Sequence, residues 1–522
     1  MNRSRLVTTT TKWFVALIAA HIALVSGAHA SSENAASPTH QIPGSPWYGG
    51  SLTAALAEAK AKHKHVLLYW GAVWCPPCNE LKSQVFSQEK FATLMRPMIA
   101  VALDGDSEEA QAWGEKLRVQ GYPTVLLLAP DGQELMRLPT AVNMDEFEAA
   151  LVNALKHPGG LQAALERGLA GTATPDDWKL LANVPWHEES DASRSGDLIS
   201  KLRILVINIP RALTEERAKL VALLLTTLTG THPQDAGASE APKLAAQELK
   251  WLLSDPVATI AARSLFAYST DVLVWTYPTN DSHEIDADQL WLKAATLVAG
   301  AKESSLDTRL WASVAPMQVY RARHPGEKMP SELRALVMRE VARSDEAAKT
   351  SYERKAVITG AATLLRDIGD LDGARALLAN ELKHTDTPWY LLASAAHLEK
   401  AAGNDTAALA LIAKARKAAK GRASKLQWTQ ADITMTASIQ NPKQLARLTQ
   451  LVKDFYRNAT TLEDGFQGRN ARTAAKVASA IQPFLGQRPI KKAIENASKR
   501  CARQKQPGPC RDHFSGLGQF LQ

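Results

Sequence analysis

Residues 66–78 read Val66-Leu67-Leu68-Tyr69-Trp70-Gly71-Ala72-Val73-Trp74-Cys75-Pro76-Pro77-Cys78, an apolar run followed closely by two cysteines that bracket two prolines. The run predicts a buried strand over His65 to Tyr69, and the Cys-x-x-Cys after it predicts a helix whose first turn begins at Cys75. Backbone N–H groups and the positive end of the helix dipole favour a thiolate at that position. Cys75 is therefore the expected attacking sulfur. Cys78, one turn further on, is placed to attack the mixed disulfide that Cys75 forms and to release the product. For this chemistry the two side chains must be adjacent and another protein must be able to reach them.

Working outward, Ser51 to Lys62 carries Leu52, Ala55, Leu56 and Ala59 at helical spacing, with Ser51 as N-cap. The helix begun at the cysteines continues through Leu81, Val85 and Phe86 to a break near Ser87. Met98 to Leu103 reads as a strand, Glu108 to Leu117 as a helix and Thr124 to Leu128 as a strand. A turn at Pro130-Asp131-Gly132 leads to a strand over Glu134 to Leu138, and Met144 to Leu155 is a helix. This order describes a central mixed sheet covered by helices, over residues 47–156.

The strand leading into Trp-Cys-Pro-Pro-Cys, the Gly121-Tyr122-Pro123-Thr124 segment 45 residues after Cys78, and the hairpin that follows resemble the thioredoxin family over Trp47 to Leu155. Val85-Phe86-Ser87-Gln88-Glu89 is most similar to the exported thioredoxin-like domains of disulfide-interchange reductases. The resemblance implies a thioredoxin fold, a cis proline at Pro123 beside the redox pair, a Tyr122 backbone offered to extended substrates, and Trp74 packed next to the cysteines. A cis X-Pro bond is uncommon enough to signal a dedicated use. Thioredoxin itself has a buried aspartate six residues before its first cysteine, where Tyr69 stands here, which puts fast thioredoxin-like turnover in doubt. Glu80 and Asp104 are the candidate replacement proton acceptors, although a carboxylate near a helix start, as at Glu80, is also explained by the dipole alone. Pro76 and Pro77 lack N–H donors, so the Cys75 thiolate is less supported, which favours a reducing or intermediate couple over a strong oxidant.

Arg3, Arg5 and Lys12, the apolar stretch Trp13 to Val25 and Ala28-His29-Ala30 form a secretory-signal pattern at 1–30 with cleavage after Ala30, followed by a Ser/Ala/Pro-rich leader at 31–46. The alternative is an uncleaved anchor, but the stretch is shorter than the ~20 residues that span a bilayer. The expected location is the bacterial periplasm or another exported compartment, with no stable membrane span after cleavage. Cleavage removes three basic residues and no acidic one, taking the formal charge of +8 to +5, so nucleic acid is not implied. The basic run Lys491 to Arg511 reads as a solvated helix face. Of four cysteines, Cys501 and Cys510 are most simply a structural disulfide in a C-terminal tail at 499–522, the sharper alternative being a second redox centre. Haem attachment would need histidine where Asn79 stands, and zinc would need two further ligands near the pair, so neither a metal nor another cofactor is expected.

Residues 157–498 carry apolar positions every three to four residues and read as all-helical. Ile368-Gly369-Asp370 to Leu378 recurs 34 residues later as Ala402-Gly403-Asn404 to Ile412, which resembles tetratricopeptide helix pairs around 356–420; a helical bundle of degenerate hairpins fits as well. Thr231 to Pro242 and Tyr277 to Ser282 read as loops, and Trp275, Tyr277 and Trp389 as core. Stacked pairs would offer a groove to a protein partner; alternatively the helices shield the sheet or mediate self-association. The functional expectation is an exported thiol-disulfide oxidoreductase acting on protein disulfides in cell redox homeostasis, with a membrane-bound electron donor as a further partner. The alternative is an interaction protein whose thioredoxin-like domain is a holdase or redox sensor.

Overall fold

Alternate residues of the first strand, β1 (Val66–Gly71), go to opposite faces of a sheet, and both faces are buried. In this computed structural model, which describes residues 46–157, 160–186, 195–230, 241–278, 286–439, 441–462, 465–501, 503 and 507–519, β1 is a central strand of four, in the order β2-β1-β3-β4. β2 (Ile99–Asp104) runs parallel to β1; β3 (Thr124–Leu128) is antiparallel to β1, and β4 (Glu134–Leu138) is antiparallel to β3. Val66, Leu68, Trp70, Val101, Leu103, Leu126 and Leu128 form one core, beneath α1 (Leu52–Lys62) and α4 (Glu108–Lys116). Leu67, Tyr69, Ala100, Ala102, Val125 and Leu127 form the other, beneath α2 (Pro76–Leu81), α3 (Glu89–Met95) and α5 (Met144–Lys156). A strand buried on both sides has no polar alternation, which is why β1 reads as one unbroken apolar run.

Local signals set the ends of these helices. The Ser51 hydroxyl accepts the Ala54 N–H at 3.2 Å to start α1, and Asn143 and Glu146 form a reciprocal capping box on α5. Between α2 and α3 the chain widens into one π turn, Lys82–Phe86, ending at Ser87 where the break was expected.

The rest of the described chain is helical. α6 (Gly160–Leu169), α7 (Pro175–Asn183), α8 (Ser195–Asn208), α9 (Thr214–Thr229), α10 (Ala241–Ser254), α11 (Pro256–Ala261), α12 (Arg263–Tyr268), α13 (Thr270–Thr276) and α14 (Ala287–Gly300) share one apolar core. A second core joins α15 (Leu306–Ser313), α16 (Ala315–Arg323), α17 (Ser331–Ala347), α18 (Ser351–Asp367), α19 (Leu371–Leu382) and α20 (Trp389–Ala401). α21 (Asp405–Ala418) and α22 (Arg422–Ser438) follow, and a third core holds α22 with α23 (Leu445–Ala459), α24 (Gly468–Ile481), α25 (Arg488–Cys501) and α26 (Gly508–Gln519). Gly369 and Gly403, the turn glycines of the 34-residue match, both have positive φ and join α18 to α19 and α20 to α21.

The C-terminal segment differs from the expected tail. Cys510 lies in the first turn of α26, and Cys510, Phe514 and Leu517 are core residues that pack with Phe455 and Tyr456. Cys501 and Cys510 are bonded, with Cα atoms 5.7 Å apart. The spacing of Phe514 and Leu517 continues the helical period past the prolines, and burial of that face outweighs the turn signal at Pro507-Gly508-Pro509. The expected signal segment, all but the last residue of the leader, and most of both expected loops lie outside the described residues. Among the described residues no helix is long and apolar enough to cross a membrane.

Candidate functional site

Cys75 is the N-cap of α2, with Pro76 and Pro77 in its first turn. Prolines tolerate that turn because the N–H groups they lack would have no helical partner. The first N–H that remains belongs to Cys78, and it donates to Cys75 Sγ at 3.3 Å. Both cysteines are unbonded thiols. Asn79 closes the loop behind them: its buried amide donates to the carbonyls of Cys75 at 2.8 Å and Val73 at 3.0 Å. The Tyr122–Pro123 bond is cis and leads directly into β3, whose Thr124 pairs with Trp70.

Trp74 and Tyr122 stand beside the pair, edge to face at 5.9 Å. Trp74 Nε1 donates to Asp106 Oδ2 at 2.7 Å, and the Tyr122 hydroxyl donates to the Gly105 carbonyl at 2.9 Å. Asp106 thereby orients one wall of the site. A Cβ on Gly71 would lie 1.9 Å from the Tyr69 hydroxyl, so glycine at that position leaves room for the tyrosine next to the thiols.

The helical region covers this face. Trp74, Cys75 and Cys78 share an apolar cluster with Trp389 and Ala396 of α20, Ile412 of α21 and Trp428 of α22. Trp74 is stacked on Tyr390 at 5.8 Å and meets Trp428 edge-on at 5.9 Å. Ser424, in the first turn of α22, donates to the Asp106 carboxylate, and Arg469 of α24 bonds the Tyr122 hydroxyl with its guanidinium 4.3 Å above the ring. Gly421, with φ +75°, lets the start of α22 approach so closely that a Cβ would sit 2.2 Å from the Asp106 carbonyl oxygen. Cys75 is 4% exposed and Cys78 0%. The sulfurs are adjacent, as the chemistry requires, but the second requirement, access for another protein, is not met in this arrangement, because α20, α21 and α22 cover them. The helices around 356–420 are occupied by the chain's own thioredoxin-like part.

Cover also changes the electrostatics. Burial pushes the Cys75 thiol well up, and the hydrogen bond and charge of Cys78 add to this. Burial raises Cys78 too, but contacts from Cys75, the Ala72 backbone, the Lys82 ammonium and Tyr69 more than offset it, and its thiol is lowered. Burial thus favours the thiol form at Cys75, while the contacts around Cys78 favour its thiolate. A helix start favours a thiolate at Cys75 through its dipole, and the second layer of protein above the sulfur outweighs that preference.

The two candidate acceptors diverge. Asp104 ends β2 on the dithiol side, its carboxyl raised to about 6 by burial and in electrostatic contact with Lys82. Glu80 turns away, into a cavity of about 300 Å³ lined by Pro77, Arg263, Tyr268, Ser305 and Asp307. Burial raises Glu80, and Asp307 is raised to about 7 by burial and by the charge of Glu80. Asn79, Lys82, Asp106, Ser424 and Arg469 were not singled out from the sequence. Lys82 alone had a local signal, lying four residues past Cys78 on a helix whose face points inward.

Residues 52–155 match the family described as a thioredoxin-like domain. The chain is 35% identical over 86 residues to the thiol:disulfide interchange protein DsbD of Yersinia enterocolitica, and 31% identical over 85 residues to DsbD of Pseudomonas fluorescens. These matches cover 16% of this chain and 14% and 15% of the relatives, so the chain spans about one seventh of the length of the curated relatives it matches. A solved structure called DsbH oxidoreductase is 22% identical, covering 24% of this chain and 95% of its own, at a TM-score of 0.20. Family match, sheet order and dithiol position agree: residues 52–155 are a thioredoxin-like domain, followed by a largely helical region.

Proposed function

We propose that this protein is an exported thiol-disulfide oxidoreductase that reduces protein disulfides through Cys75 and Cys78. The observation that carries the reading is the pair of unbonded sulfurs one helical turn apart at a helix start, with Cys78 N–H on Cys75 Sγ at 3.3 Å and a cis proline at 123. Cys75 attacks the substrate disulfide, Cys78 resolves the mixed disulfide, and the Tyr122–Pro123 segment and Trp74 shape the cleft once the helices move aside. Opening would expose Cys75 to water and relieve the desolvation that raises its thiol, so access and activation come together. Export is supported by the signal pattern at 1–30, and a reducing direction by the donors missing at Pro76 and Pro77. A membrane-bound electron donor and a protein partner on the helical region belong to the same proposal. Resemblance to disulfide interchange proteins supports protein disulfides as substrates.

The test is reduction of insulin by the full chain, with Cys78→Ser trapping mixed disulfides through Cys75 in the exported compartment. Failure to recover any trapped protein, together with no insulin reduction, removes the reading. A redox potential near about −120 mV, that of strong periplasmic oxidants, would reverse the direction. A second reading is favoured by the cover over Cys75: an interaction protein in which the domain serves as a redox sensor or holdase. Tight partner binding without turnover would select it.

A further inference from the structure

Lys82 is 2% exposed and among the largest fully buried side chains. A lysine taken out of water needs compensation. Its Nζ stands 5.9 Å from the Tyr69 ring centroid and 5.8 Å from that of Tyr352 on α18, and ring faces attract a cation without matching a full counter-charge. Acids on the other helices packed against this stretch are committed elsewhere: Asp145 and Glu148 to Lys90, Glu146 to Arg263, Glu353 to the N–H groups of Lys349 and Thr350 and Asp367 to Arg321 and Arg366, while Glu89 is exposed. The groups that face Lys82 are the thiols of Cys78 and Cys75, Asp104, the two tyrosines and the repelling Lys355 of α18.

We propose that Lys82 is the positioning cation of the dithiol, holding the negative charge of the reduced Cys75/Cys78 pair in place of the N–H donors missing at Pro76 and Pro77. Lys82 follows Cys78 by four residues, one helical turn, and Tyr69 neighbours both, its ring facing the ammonium and its hydroxyl lowering the Cys78 thiol. Burial lowers the ammonium more than Cys78, Cys75 and Asp104 raise it, which leaves it at about 8, with the two thiols the largest of the groups that favour its charge. Resting on the oxidoreductase reading, the same geometry couples this lysine to electron exchange. A reduced site holding one thiol, one thiolate and one ammonium becomes a disulfide and a neutral amine. It gives two electrons and two protons, which turn the two sulfurs of a substrate disulfide into two thiols. The ammonium loses its proton on oxidation because its thiolate is gone while its burial remains.

The experiment is a pH titration of the reduced full chain followed by the ultraviolet absorbance of the thiolate, which needs neither turnover nor access for a reagent. Lys82→Met is expected to raise the midpoint of the first thiol ionisation by about one pH unit or more, a roughly tenfold loss of thiolate near neutrality, with Lys82→Arg restoring it. In an Asp104→Asn background the upward shift caused by Lys82→Met is expected to persist; if it vanishes, Lys82 served Asp104 alone and the proposal falls. Should Lys82→Met not fold, the Lys82 side chain is titrated by NMR in the reduced and oxidised wild type. A lower value in the oxidised form is expected, and equal values overturn the proposal. A protein that shows this titration but neither reduces insulin nor, as Cys78→Ser, traps a mixed disulfide would sink the oxidoreductase reading and leave the role of Lys82 standing.

Discussion

Ser424→Ala tests whether the cover over the dithiol is a closed state that opens. Ser424 is 0% exposed and donates to the Asp106 carboxylate across the contact between α22 and the thioredoxin-like domain. Asp106 keeps Trp74 Nε1 at 2.7 Å after the change, but loses one of its donors while still buried. A hydrogen bond to a charged group contributes about 1.5–3 kcal/mol, and the open state, where water replaces Ser424, loses nothing comparable. With each 1.4 kcal/mol worth tenfold, the open fraction should rise roughly 10- to 150-fold. The assay is the alkylation rate of Cys75 by a small neutral reagent, at a pH where closing is fast relative to reaction, so that the rate follows the open population. Gly421→Ala should act the same way, because its Cβ would lie 2.2 Å from the Asp106 carbonyl oxygen. The reasoning is refuted if wild-type Cys75 reacts as fast as an exposed thiol. It is also refuted if Ser424→Ala lowers Tm while leaving the alkylation rate unchanged, since the contact would then support only α22.

Closure should weaken as pH rises. Glu80 on α2 and Asp307 on α15 are both raised, Asp307 to about 7, so the buried pair is content when protonated and costly when ionised. Stability from this contact is full below the ordinary carboxylate value of about 4 and is lost as pH climbs through about 7. Cys75 alkylation, corrected for the thiolate fraction, should therefore be slower at pH 5 than at pH 8, and Asp307→Asn should flatten that difference; a profile unchanged by the substitution would count against it. Replacing both Cys501 and Cys510 with Ala should cost about 2.5–3 kcal/mol, from closure of a ten-residue loop, and free α26 from its core. Thermal unfolding would show the loss, and insulin reduction at low temperature should be unaffected; a matching loss of activity would mean that the second pair takes part in the chemistry.

The strand, the redox loop and the proline segment were legible in the sequence because each is set by residues close to one another in the chain. β1 is an apolar run because both of its faces are covered. α1 and α5 begin at Ser51 and Asn143 because those side chains bond the first free N–H groups, and α2 begins at Cys75 because two prolines fit only a first turn. The helical period after residue 160 was equally visible, and it continues through Phe514 and Leu517 past the turn that suggested a tail. What lies above the sulfurs was decided only by tertiary packing. Ser424 and Arg469 reach Asp106 and Tyr122 across more than 300 residues of chain, and no local period or turn signal encodes such a meeting. The same packing raises the Cys75 thiol and buries Lys82, because desolvation depends on everything that surrounds a group and not on its neighbours in sequence.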